Sequence, residues 1–136
     1  MAGTTLFVEV LTPDKTHFSG FVKAVYFPGE NGYLGVLPGH APLLTRLGVG
    51  TITCIEEDGD VVHMFCSGGF AEVMGRDVSI LASVAEREGD IDEERAEKAK
   101  QRAEKRLFSG SAEVDYARAM SALQRAMERL HIAHPQ

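Results

Sequence analysis

The stretch "VSILASVAEREGDIDEERAEKAKQRAEKRL", residues 78–107, joins two different kinds of chain. "VSILAS" (78–83) is short and rich in apolar and β-branched residues, the composition of a strand. Beyond Gly89 the character changes. From Asp90 to Ala133 there is no proline and one glycine, Gly110, and alanine, glutamate, arginine and lysine dominate. The border at Gly89-Asp90 divides the chain into a β-sandwich domain, residues 1–88, and a helical hairpin domain, residues 89–136.

Upstream of the border, short apolar segments recur between turn signals. "LFVEV" (6–10) alternates Leu6, Val8 and Val10 with Phe7 and Glu9. "FVKAVYF" (21–27), "TITCIEE" (51–57), "VVHMFCS" (61–67) and "FAEVMG" (70–75) follow it. Between them lie Thr12-Pro13-Asp14, Pro28-Gly29, Asp58-Gly59, Gly68-Gly69 and Gly75-Arg76-Asp77. Many short strands at near-regular spacing predict an all-β sandwich or barrel. If Asp58-Gly59 is a two-residue turn, Glu57 faces Asp60, Cys54 faces His63, and Thr51 faces Cys66. The two thiols then stand roughly 10 Å apart, at about 3.3 Å per residue. That is too far for a disulfide, so two reduced, buried thiols are expected.

Downstream, "LFSGSAE" (107–113) interrupts the helical composition at Gly110, which predicts two antiparallel helices. Asp90 with Glu93 forms a candidate capping box. The helices repeat each other at an offset of 23 residues: Asp92 matches Asp115, Arg95 matches Arg118, Ala96 matches Ala119, and Ala103 matches Ala126. Arg102 and Arg106 match Arg125 and Arg129. At about 100° per residue, Ala96, Ala99, Ala103 and Leu107 form one stripe, with Arg95, Arg102 and Arg106 roughly 80–90° round from it. An alanine seam lets helices approach closely but buries little area, so the hairpin is expected to leave the sandwich, or to open, at low cost. Folding at Gly110 brings Arg95 opposite Arg125 and Arg129. Guanidinium forks suit phosphate oxygens. The alternative is that these arginines pair with Glu93, Glu97 and Glu128 on a solvated face.

The 136 residues carry a net charge of −6, which argues against general nucleic-acid binding. No apolar run approaches the roughly 20 residues of a membrane helix, and "MAGTTLFVEV" lacks the pattern of a signal peptide. The G-x-x-x-x-G-K-[ST], G-x-G-x-x-G and H-E-x-x-H patterns are missing. Ser67-Gly68-Gly69 is not a nucleophile elbow. His131 and His134, three apart, read as a helix end rather than a metal pair. Nothing in the chain assembles an acid–base or nucleophilic constellation, and no catalytic or metal residue is assigned.

One segment, "GYLGVLPGHAPLL" (32–44), is unusual: an apolar loop stiffened by Pro38 and Pro42. With its flanks it reads "GENGYLGVLPGHAPLLTRLGVG" (29–50). Together with "SGGFAEV" (67–73) and "IDEERAEKAKQRAEKRL" (91–107), it resembles the epsilon-subunit family of F-type ATP synthases. The resemblance runs in order through nearly the whole chain.

The resemblance implies a sandwich of about ten strands followed by the hairpin. It implies a non-catalytic subunit at the foot of the rotating central stalk, bound to the gamma subunit and resting on the c-ring. It points to Glu30, Asn31, Gly32 and Tyr33, and to Leu37, Pro38, Gly39, His40, Ala41, Pro42 and Leu43, as the face toward gamma and the c-ring. It implies a hairpin that permits rotation when folded down and suppresses ATP hydrolysis when extended toward the alpha and beta subunits. A purely structural stalk subunit with a non-inhibitory hairpin is the alternative, and a small sandwich-class enzyme a third reading. Some members bind ATP as a regulatory ligand through an I/L-D-x-x-R-A motif, here Ile91, Asp92, Arg95 and Ala96. The further contacts carry over to Glu86, Arg125 and Arg129. No cofactor is required. The implied location is the cytoplasmic face of the bacterial inner membrane, peripheral and reached through the complex.

Overall fold

In the computed structural model, which describes residues 4–134, the alternation of Leu6, Val8 and Val10 becomes β1, Leu6–Leu11. All three side chains are fully buried, because a strand aims every second residue at one face. Six further strands follow: β2 (Thr16–Gly29), β3 (Gly32–Val36), β4 (Leu43–Arg46), β5 (Val49–Glu56), β6 (Val61–Met74) and β7 (Asp77–Arg87).

Among the described residues the strand number is therefore seven rather than about ten. The difference lies in β2, β6 and β7, which pass through both layers of the sandwich. The first part of β2 pairs with β1 (Phe18↔Val10), and after a register shift near Val22 the rest pairs with β5 and β3. β6 pairs with β5 up to Ser67 and with β4 from Phe70. β7 follows β6 along both halves and pairs in parallel with β1 only from Asp77 to Leu81. Counting these three as two each gives ten segments, five per layer. Gly68 and Gly69 sit where β6 turns from one layer to the other, with φ of 73° and 108°. The core between the layers includes Val25, Phe27, Ile52, Met64, Val73 and Ile80, all with no exposed surface.

The stretch read as one apolar loop is partly strand. Gly32–Val36 forms β3 and Leu43–Arg46 begins β4, leaving only Leu37–Pro42 as a connection. The β5–β6 turn also differs from the expectation. Glu56 N–H donates to Asp60 carbonyl at 2.8 Å, closing a three-residue loop in which Gly59 has φ of 94°. Every pair shifts by one: Cys54 faces Val62, Thr53 faces His63, and Cys66 faces Gly50. Both cysteines are free and buried. Burial pushes the Cys54 thiol up to about 12, assisted by the nearby Glu56 carboxylate.

The chain divides into two compact units, Met1–Glu88 and Gly89–Gln136. A 3-10 turn, Glu88–Asp90, leads into α1 (Glu93–Phe108) and α2 (Tyr116–Ala133). Asp90 does not cap α1. That place belongs to Asp92, whose extended backbone lets its carboxylate accept the Arg95 N–H at 3.0 Å. Asp115 does the same for Arg118 at 3.0 Å, so the repeat seen in sequence is a repeat of caps. The helices pack on Ala96, Ala103, Ala119 and Ala126, all buried. No helix among the described residues is long and apolar enough to cross a membrane.

Candidate functional site

Two regions carry the residues singled out in sequence, one in each unit. In the first, Glu30 and Asn31 form the tight turn between β2 and β3, closed by the Gly29↔Gly32 pair, with Gly32 at φ of 127°. Tyr33 is 59% exposed, yet its hydroxyl accepts the Thr51 N–H at 2.9 Å, which anchors the ring to β5. Leu37, Pro38, Gly39 and His40 make a second turn. His40 N–H donates to Leu37 carbonyl at 3.1 Å, and Gly39 takes the φ of 94° that a type II turn demands. His40 Nδ1 lies 2.6 Å from the Ala41 carbonyl. This segment crosses from β3, an edge of one layer, to β4, an edge of the other. Leu37, Ala41 and Pro42 are exposed, and Pro38, His40 and Leu43 half-buried. It is a hydrogen-bonded ridge with a fixed backbone and an apolar surface.

Next to that ridge is a surface the sequence reading missed. β4, β6 and β7 turn Leu44, Phe70, Met74 and Leu81 away from the core, with exposures from 49% to 68%. Arg46 lies over the Phe70 ring, 6.0 Å from its centroid. The signal was present in "LLTR" and "SILAS", where apolar residues occupy consecutive positions and so must face both ways.

In the second unit, the open end of the hairpin is marked by a contact between Glu93, at the start of α1, and His134, after the end of α2. Arg95 belongs to that end of α1, and Arg125 and Arg129 to the facing part of α2. Measured round each helix from its buried alanines, the three arginines fall on one flank. Of the acids considered as their partners, Glu93 contacts His134 and Glu97 accepts from Gln101 at 3.4 Å. The remaining motif positions flank these arginines. Asp92 is tied to its cap bond, Ala96 lies in the seam, and Ile91 is buried. Glu86 stands near the end of β7 in the other unit, paired with Phe65. Among the described residues, no group of three His, Cys, Asp or Glu could hold a metal ion.

The sequence profile of the ATP synthase delta/epsilon chain β-sandwich domain matches residues 5–88. That of the delta/epsilon chain long alpha-helix domain matches residues 90–134. The chain belongs to the ATP synthase delta/epsilon chain family. As such it is an accessory chain of ATP synthase and not itself catalytic. It is 48% identical over 128 residues to the ATP synthase epsilon chain of Nitratidesulfovibrio vulgaris (strain DP4), covering 94% of this chain and 95% of that one. It is 45% identical to the epsilon chain of Desulforamulus reducens, covering 93% and 95% respectively. Among solved structures, it superposes with a TM-score of 0.80 and 25% identity on a chain of Euglena gracilis mitochondrial ATP synthase, OSCP/F1/c-ring. That match covers 92% of this chain and 79% of the other. A chain from the central stalk/c-ring structure of the Tetrahymena thermophila enzyme shares the fold, with a TM-score of 0.58 at 15% identity over 94% and 96% of the two chains.

Proposed function

We propose that this chain is a central-stalk subunit that joins gamma to the c-ring and restrains ATP hydrolysis through its helical hairpin. The observation that carries this reading is the contrast between the two units. The sandwich is stitched by strands that run through both layers and offers a rigid ridge at residues 30–43. The buried residues of the two helices are four alanines and Ile132. At about 0.8 kcal/mol per buried methyl, the alanines supply about 3 kcal/mol together, and Ile132 adds about 2 kcal/mol. A unit held this weakly can exchange partners, as an inhibitory arm must.

ATP fits this scheme as a regulatory ligand. Its phosphates would neutralise Arg95, Arg125 and Arg129 and hold the hairpin closed, by an amount set by its concentration relative to Kd. The ridge of Glu30–Tyr33 and Leu37–Leu43 serves as the docking face, its prolines lowering the entropy lost on binding. The subunit would then be peripheral, at the cytoplasmic face of the membrane, through its partners alone.

The test is the ATPase rate of the assembled enzyme with the full chain and with residues 90–136 removed. A several-fold rise on truncation is expected, and an unchanged rate would leave only a structural role. Calorimetric titration of the isolated full chain with ATP examines the ligand separately. Equal heats for wild type, Arg95→Ala and Arg129→Ala would remove these residues from the site.

A further inference from the structure

The 23-residue repeat has a consequence in three dimensions. Asp92 and Asp115 have nearly the same backbone angles, −83°/96° and −79°/95°, and make the same 3.0 Å cap bond. The buried alanines of α1 and α2 are equivalent positions of the repeat. Two equivalent helices packed antiparallel through equivalent residues are related by an approximate two-fold axis normal to the plane of the pair. Such an axis keeps each flank on its own side. At about 100° per residue, Arg95, Arg102 and Arg106 lie on one flank of α1, and Arg118, Arg125 and Arg129 on the same flank of α2. Six arginines therefore share one face. Glu93, Glu97 and Glu104 fall on the opposite face, where α2 carries Tyr116, Met120 and Met127.

The same axis splits the six into two triads. Arg95, Arg125 and Arg129 occupy the open end. Their mates, Arg118, Arg102 and Arg106, occupy the end beside the Gly110 turn. All three mates are exposed, and no carboxylate other than the capping Asp115 lies on their flank. Asp115 is committed to the Arg118 N–H. The first-turn N–H groups of Tyr116 and Ala117 have no helical acceptor and point toward that end. Three exposed like charges on one face at one end of the hairpin raise the local positive potential, which draws anions. Planar guanidinium forks match the tetrahedral oxygens of a phosphate chain.

We infer that Arg102, Arg106 and Arg118 form a second anion site, which takes an oligophosphate, either a free inorganic chain or the chain of a nucleotide. The inference does not rest on ATP binding at Arg95, Arg125 and Arg129.

The test is a titration of the full chain with sodium tripolyphosphate at constant ionic strength, read by the NMR signals of the arginine Nε–H groups. Saturable shifts are expected at Arg102, Arg106 and Arg118. Arg118→Ala should weaken that response about tenfold, with an unchanged Ala126 amide signal reporting an intact hairpin. A parallel titration with ATP separates the sources. Shifts of the same signals show that a nucleotide suffices, and shifts with tripolyphosphate alone show that a bare chain is needed. Signals of Arg95, Arg125 and Arg129 report the first triad independently. No saturable shift at Arg102, Arg106 and Arg118 with either probe, or the same shifts with chloride alone, would overturn the second site.

Discussion

Asp92 accepts a hydrogen bond from the backbone N–H of Arg95 at 3.0 Å, and this bond starts the first helix. The motif aspartate thus acts on the arginine through the backbone, by setting where the helix begins and which way Arg95 leaves it. Asp92→Ala should destabilise the hairpin by about 1 kcal/mol and, on the proposed role of ATP as a regulatory ligand, weaken its binding. Asp92→Asn, which keeps the cap, should restore most of both. Thermal melting followed at 222 nm and calorimetry with ATP check the pair; a large ATP defect in Asp92→Asn would make the carboxylate a direct ligand instead.

The seam should be intolerant of bulk. Ala103 is 3% exposed and faces α2. Ala103→Leu would force the helices apart at a cost of about 1–3 kcal/mol. The change should appear as looser hairpin amides in hydrogen exchange, with the β-sheet amides unaffected. Met120→Ala, at a position 56% exposed, should move stability by about 0.5 kcal/mol or less.

Gly69 should be irreplaceable. A Cβ there would stand 2.0 Å from the Leu81 carbonyl oxygen, on a backbone at φ of 108°. Gly69→Ala is expected to cost the sandwich about 3 kcal/mol. Urea unfolding measures it, and an unchanged midpoint would mean that β6 and β7 can separate there freely.

Two titrations set opposite limits on stability. The Cys54 thiol, raised to about 12 by burial, stays protonated in the folded chain while the unfolded chain ionises near 9.0. Stability should therefore fall as pH rises from about 9 toward 12, and Cys54→Ala should remove that component. Asp14 lies in the opposite case. The Thr12 hydroxyl, 2.5 Å away, holds its carboxyl below the usual range, with a smaller contribution from the positive field of His17. That contribution is present above the ordinary aspartate range and is lost as pH falls through the depressed value. Equilibrium unfolding of Asp14→Asn against wild type across the acid limb checks the sign.

The sandwich was legible wherever apolar residues alternated, as at Leu6, Val8 and Val10. It was not legible in β3, where Gly35 looks like a breaker. A Cβ at Gly35 would meet the Tyr26 ring at 2.7 Å, so the glycine answers a neighbour across the sheet rather than a local turn. The β5–β6 register slipped by one for a different reason. "EDGD" fits both a two-residue and a three-residue loop, and only the Gly59 conformation decides between them. The arginine flank was readable because repetition states geometry twice. The outward patch of Leu44, Phe70, Met74 and Leu81 was readable only in part: consecutive apolar residues say that both faces of a strand are apolar, not which of them meets the core.

Since β2, β6 and β7 each belong to both layers, the halves of the sandwich cannot slide past one another without stretching covalent bonds. A twist applied at the Leu37–Pro42 corner is borne by main chain along its whole path, where side-chain packing alone would creep under repeated load.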